Sequence, residues 1–162
     1  MPPVSKPELL AKLKHALEAE LAVAERVARE TAEAANHPEA KPDSDKDTRK
    51  IELSYLAAGQ AARARELESG VALVGTLPVT PFAEGAPIRA GALVTLEVGD
   101  KTQRVLVSPA GGGLKLDDDG GAINVVTPQS PLGRALLGKT QGDEFELAVA
   151  GRTSEVVIVG VE

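Results

Sequence analysis

Apolar residues recur three or four positions apart at Leu10, Leu13, Leu17, Leu21 (or Ala24) and Val27, and charged residues and alanine fill most of the positions between. That period describes a helix with one narrow apolar seam, close to a coiled-coil pattern. It predicts a first helix over about 6–35, with Ser5 as N-cap, Pro7 in the first turn and Glu8 completing a capping box. A second seam reads Leu53, Ala57 (or Leu56), Gln60, Ala64 and Leu67, which predicts a second helix from near Asp45 to near Ser69 with Gly70 as its stop. Two helices of similar length joined by a short polar link fold back antiparallel. Thirty residues of helix span about 45 Å, so the expected hairpin is long and thin. The pattern alone also allows half of a four-helix bundle completed by a second copy.

The period changes beyond Gly70. Only Gly59 and Gly70 precede residue 71; every other glycine follows it. Short Val-rich runs separated by turn signals predict strands near 71–75, 91–98, 103–108, 122–126, 143–149 and 154–161. Gly111-Gly112-Gly113 and Asp117-Asp118-Asp119-Gly120-Gly121 read as turns. One short helix is expected from Pro131 to Leu137, with Ser130 as N-cap, Pro131 at N1 and Gly138 as stop. The fold class is α+β: an antiparallel helical hairpin over 1–70, and a small antiparallel sheet with one helix on it over 71–162.

The hairpin tip, about 36–49, holds Pro38 and Pro42, which push the residues before them toward extended backbone. Glu39, Asp43, Asp45 and Asp47 cluster there among Lys41, Lys46 and Arg49. Magnesium is usually held by one or two protein carboxylates and keeps several waters. Asp43, Asp45 and Asp47 are therefore candidate ligands for an ion shared with a partner, set against the plainer reading of a solvated loop.

Composition narrows the function classes. Aromatic residues are 2% of the chain, Tyr55, Phe82 and Phe145, too few for a stacking platform or an aromatic pocket. There is no cysteine, and His15 and His37 are too few for a histidine-rich metal site. His15 reads as an exposed helix residue. A net charge of -6 argues against binding duplex DNA mainly through its phosphates. No apolar run approaches the roughly 20 residues of a membrane span, and no signal-peptide core follows Met1, so the expected location is the cytoplasm. Asp117-Asp118-Asp119-Gly120 lacks the distal Glu and flanking helices of a calcium EF-hand and reads as a hairpin loop. Arg26, Arg29, Arg49, Lys50, Arg63 and Arg65 offer a basic strip for RNA phosphates, but interleaved glutamates favour a salt-bridged helix face.

The run Ser130-Pro131-Leu132-Gly133-Arg134-Ala135-Leu136-Leu137-Gly138-Lys139, followed by Gly142-Asp143, is similar to the signature of the C-terminal domain of the Gre transcription elongation factors. Ile123 to Val126 and the Val-rich stretch 156–161 fit the same domain. Tyr55-Leu56-Ala57-Ala58 resembles the Tyr-x-Ala-Ala segment that follows the tip in that family. The resemblance implies an FKBP-like sheet, a coiled-coil hairpin and a monomer that binds RNA polymerase. It also implies docking through the sheet domain, with Ser130, Pro131, Leu132, Gly133, Arg134 and Lys139 as candidates, and insertion of the hairpin into the polymerase's secondary channel. RNA would be met only inside that complex. No cofactor of the chain's own is implied beyond magnesium shared with polymerase, and no catalysis of its own. In the family two tip acids, spaced Asp-x-x-Glu before the tyrosine, help polymerase cleave backtracked RNA. Matching on Tyr55 puts Thr48 and Ile51 at those places, so a non-cleaving channel regulator stands beside the cleavage factor. An FKBP-like prolyl isomerase, suggested by fold alone, and a dimeric structural protein are the readings from other classes.

Overall fold

A computed structural model of the chain describes residues 4–37, 44–119 and 121–162. Helix α1 runs Lys6–Ala35 and helix α2 runs Ser44–Gly75. The chain divides into two compact units, His15–Val71 and, from Val4 onward in its first segment, Met1–Lys14 with Ala72–Glu162.

In the helical unit the expected seam is the buried one. Leu17, Ala24, Thr31 and Ala35 of α1 are buried, as is Leu67 of α2, and Leu53, Ala57, Gln60 and Ala64 are half-buried. Thr31 satisfies its hydroxyl within the helix by donating to the Val27 carbonyl at 2.6 Å. Arg63 of α2 meets Glu20 of α1 at 3.3 Å and Glu66 on its own helix at 3.4 Å. These pairs, with Arg26–Glu30 at 4.0 Å, are what a salt-bridged helix face predicts. His15 is exposed, as expected.

Helix α2 outruns its expected end. Gly70 lies inside it, and residues 71–75, expected as a strand, are its last turns. A glycine costs a helix interior roughly 1 kcal/mol; burial of Val74, 3% exposed, offsets that cost. The helix ends where Pro78 cannot continue it, with Thr76 and Leu77 donating to the Leu73 and Val74 carbonyls in a tightened last turn.

The second unit is built on six strands: β1 Leu93–Val98, β2 Lys101–Val107, β3 Lys115–Asp118, β4 Gly121–Val126, β5 Glu144–Val149 and β6 Arg152–Val161. Their order is β3-β4-β2-β1-β6-β5. The pairings are antiparallel except β2 with β4, which is parallel. The expected sheet was antiparallel throughout; the parallel pair arises because β3 reverses the chain once more before β4. Sequence reading placed Asp117 and Asp118 in a turn. They are instead the end of β3, where Leu116 pairs with Ile123 and Asp117 with Ala122. One face of the sheet buries Val94, Leu96, Val105, Val107, Val156 and Ile158 against Leu136 of α3, Pro131–Leu136.

Candidate functional site

The segment singled out by sequence begins with a helix cap. Ser130 has extended backbone (φ -77, ψ 152), and its Oγ accepts the Gly133 N–H at 3.0 Å while donating to the Thr127 carbonyl at 2.8 Å. Pro131 follows where a missing N–H costs nothing. Gly133 is required by space. A Cβ there would lie 1.9 Å from the Thr127 carbonyl oxygen, so the N-terminal turn of α3 closes against the chain that leads into it.

The C-terminal end of α3 is fixed with equal economy. Gly138 takes φ +81, a conformation that favours glycine. Its N–H donates to the Ile88 carbonyl at 2.8 Å, and the Ile88 N–H donates to the Lys139 carbonyl at 2.8 Å. Gly142 and Asp143 then form the turn into β5. Asp143 accepts the Thr140 N–H at 2.8 Å through Oδ2, and the Gly142 N–H and Asp143 carbonyl both pair with Ile158.

These contacts sort the six docking candidates. Ser130, Pro131 and Gly133 shape the helix, and Leu132 packs half-buried on the core. Arg134 points to solvent, beside Leu137, which is 38% exposed. Lys139 is half-buried, its Nζ 5.2 Å above the Phe145 ring centre. The outward face of this segment is Pro131, Arg134 and Leu137, with the Lys139 cation at its edge.

At the tip, Glu39 and Asp43 lie outside the described residues, and so do the side chains of Asp45 and Asp47 in the first turn of α2. Thr48 and Ile51, where the resemblance would place the tip acids, are exposed on α2. Among the described residues no three His, Cys, Asp or Glu side chains are placed to hold a metal ion.

Two charged arrangements were not legible beforehand. Asp118, its side chain 3% exposed, accepts the Val4 backbone N–H at 2.8 Å and is ion-paired with Arg104. Arg104 also reaches Glu162 at 3.6 Å, and Lys12 Nζ donates to the neighbouring Asp117 carbonyl at 2.7 Å. The Val4 N–H, then the Arg104 guanidinium, hold the Asp118 carboxyl below its ordinary value against the opposing effect of desolvation. Lys6 is buried, donates to the Thr80 and Glu162 carbonyls at 3.0 and 3.2 Å, and sits 4.3 Å from the Phe82 ring centre. Arg89 stands 4.6 Å from the same ring. Burial, then the Arg89 charge, push the Lys6 amine below its ordinary value, against the pull of Glu162. The first turn of α1 is locked by Glu8, whose Oε2 accepts from both the Ser5 N–H and Oγ at 2.9 Å. That bond to the backbone N–H is the expected half of the capping box.

A family profile described as "Transcription elongation factor, GreA/GreB, C-term" matches residues 86–162. The transcription elongation factor GreA of a Bradyrhizobium species (strain BTAi1) is 31% identical over 137 residues, covering 85% of this chain and 81% of that protein. GreA of Cereibacter sphaeroides is 30% identical over 135 residues, covering 82% and 83%. Among solved structures, GreA factor homolog 1 (Gfh1) of Thermus thermophilus aligns with 98% of this chain and 94% of its own at 23% identity and a TM-score of 0.39.

Proposed function

The chain belongs to the GreA/GreB family of transcription elongation factors, and on that premise we propose that it binds RNA polymerase and modulates its active site through the secondary channel. The observation that carries this reading is the GreA likeness across 85% of the chain, which spans helices and sheet alike. In this reading the outward face of α3, with Arg134 and Leu137, meets the polymerase surface, and Lys139 contributes charge at its edge. The helical hairpin enters the channel. The factor works as a monomer in the cytoplasm, touches RNA only within the polymerase complex, and has no active site of its own. No helix among the described residues is long and apolar enough to cross a membrane.

Two actions at the polymerase centre follow from the tip. If Asp43, Asp45 and Asp47 approach the polymerase magnesium, their charge alters its coordination and the acidity of the attacking water, which favours cleavage of backtracked RNA. Ile51 favours the second action, a regulator that occupies the channel without cleaving. An exposed isoleucine stands where the family has an acid, and it has no charge to offer a metal. Against the isomerase reading, Phe82 has the Lys6 and Arg89 cations within 4.6 Å of its ring centre, Phe145 has Lys139 at 5.2 Å, and both rings pack against the sheet core.

The test is transcription on stalled and backtracked complexes with the protein added, with RNA length as the readout. Shortened transcripts establish the cleavage action. Slowed extension with transcripts of unchanged length establishes the regulator. No effect, with no binding to core polymerase, overturns the proposal.

A further inference from the structure

A recess of about 510 Å³ opens in the sheet unit, where the first turn of α1 meets the start of β1 and the end of β6. That volume lies within the range of small-molecule sites. Its wall is largely apolar, with Val4, Val79, Pro81 and Leu93 among the residues that line it. Its charged lining is Lys6, Arg104 and Glu162. An apolar recess with a few converging charged groups is the common form of a ligand site.

The charges select the ligand. Lys6 is 6% exposed, and two of its three N–H donors go to the carbonyls of Thr80 and Glu162. Neutral carbonyls satisfy donors without cancelling the charge. Arg89 stands close enough that its repulsion, after burial, lowers the Lys6 pKa. Arg104 is paired with Asp118 and reaches the Glu162 carboxylate at 3.6 Å. Glu8, bonded to Ser5 at the edge of the recess, has Lys12 acting on it. Lys6, Lys12, Arg89 and Arg104 thus stand against Glu8, Asp118 and Glu162, four cations to three acids and one positive charge in excess. A monoanion balances that excess. A dianion such as phosphate would face the Glu162 carboxylate and leave oxygens unpaired against an apolar wall. A hydrocarbon body suits that wall.

We propose that this recess binds a free monocarboxylate with a short hydrocarbon body. Its carboxylate meets Lys6 and Arg104, the two cations that reach Glu162, and its hydrocarbon lies against Val79, Pro81 and Leu93. Bound there, the ligand fastens the first turn of α1 to the sheet. The inference stands apart from the polymerase-binding reading.

The experiment titrates the full-length chain, labelled at its methyl groups, with sodium pentanoate and follows the Val4, Val79 and Leu93 methyl signals by NMR. Pentanamide, which has the same body without the charge, and sodium phosphate at matched ionic strength are the comparisons. Expected is saturable binding of pentanoate with a Kd on the order of 1 mM, and binding of both comparison compounds weaker by at least about tenfold. Lys6→Met should weaken pentanoate by about the same factor. Val79→Asp is the second variant. Val79 is 53% exposed, so the fold should tolerate the change, and the added acid should repel pentanoate by about tenfold, read at Val4 and Leu93. No saturable shift with pentanoate overturns the inference. Pentanamide bound equally well overturns it in favour of an uncharged apolar recess. Phosphate bound equally well overturns it in favour of a general anion site. Unchanged pentanoate binding in a folded Val79→Asp places the ligand elsewhere and overturns it too.

Discussion

The Asp118 carboxylate accepts the backbone N–H of Val4 at 2.8 Å, across 114 positions of sequence. The start of the first helix is thereby joined to the third strand, and the charge of Asp118 is shared with Arg104. Because folding lowers the Asp118 pKa from its ordinary 3.8, the stability it confers is present above that ordinary value. It is lost as pH falls through the lower folded value. Between about pH 6 and about pH 3 the wild type should therefore lose more Tm than Asp118→Asn. At neutral pH Asp118→Asn should melt below the wild type, whereas Asp117→Asn should not. Equal acid sensitivity in wild type and Asp118→Asn would remove the role assigned to this carboxylate.

Gly133→Ala should destabilise the sheet unit by at least about 3 kcal/mol, at the upper end of overpacking costs. The added Cβ would lie 1.9 Å from the Thr127 carbonyl oxygen, so the backbone must move. Urea midpoints compare the two proteins, and a loss under about 1 kcal/mol would show that the turn relaxes freely.

Ala150 adopts φ +53 in the tight turn between β5 and β6, the one non-glycine residue with positive φ among those described. Ala150→Gly should stabilise by about 1 kcal/mol, raising Tm by about 2–4 °C for a chain of this size. A fall in Tm would mean that unfolded-state entropy outweighs the relieved strain.

Arg134→Glu with Lys139→Glu should weaken binding to core polymerase by about tenfold and leave the sheet folded, since the Arg134 side chain is exposed and Lys139 lies on the face of a ring. Far-ultraviolet circular dichroism controls for folding. Normal binding by this variant moves the docking face away from α3.

Asp43, Asp45 and Asp47 replaced together by Asn keep their size and lose their charge. Binding to polymerase should survive, and any effect on RNA cleavage or catalytic rate should vanish. Robust cleavage that persists in the triple variant refutes the assignment of these aspartates.

The helices were legible because their seams repeat: Leu17, Ala24 and Leu67 are buried where the period puts them. The α3 segment was legible because cap, proline and terminal glycine are local signals, and each takes its expected place. The misreadings have one physical origin, a local signal outweighed by distant packing. Gly70 reads as a stop, yet Val74 beyond it is buried and the helix continues. Asp117 and Asp118 read as turn residues, yet pairing with Gly121 and Ala122 makes them strand. Buried Lys6 could not be foreseen, since its partners, Thr80 and Glu162, lie 74 and 156 positions away.

The strand order has a consequence for how the molecule is made. β6 lies between β1 and β5, and it carries the buried Val156 and Ile158. It is also the last of the six strands to leave the ribosome. Helix pairing relies on nearer neighbours and can begin during synthesis. Until β6 emerges, β1 lacks one neighbour and β5 lacks its antiparallel partner. The nascent sheet then exposes unpaired edges and an open core, a state prone to aggregation. A ribosome paused before residue 152 should hold a chain with formed helices and a protease-sensitive sheet, and release of that pause should be the moment at which protection appears.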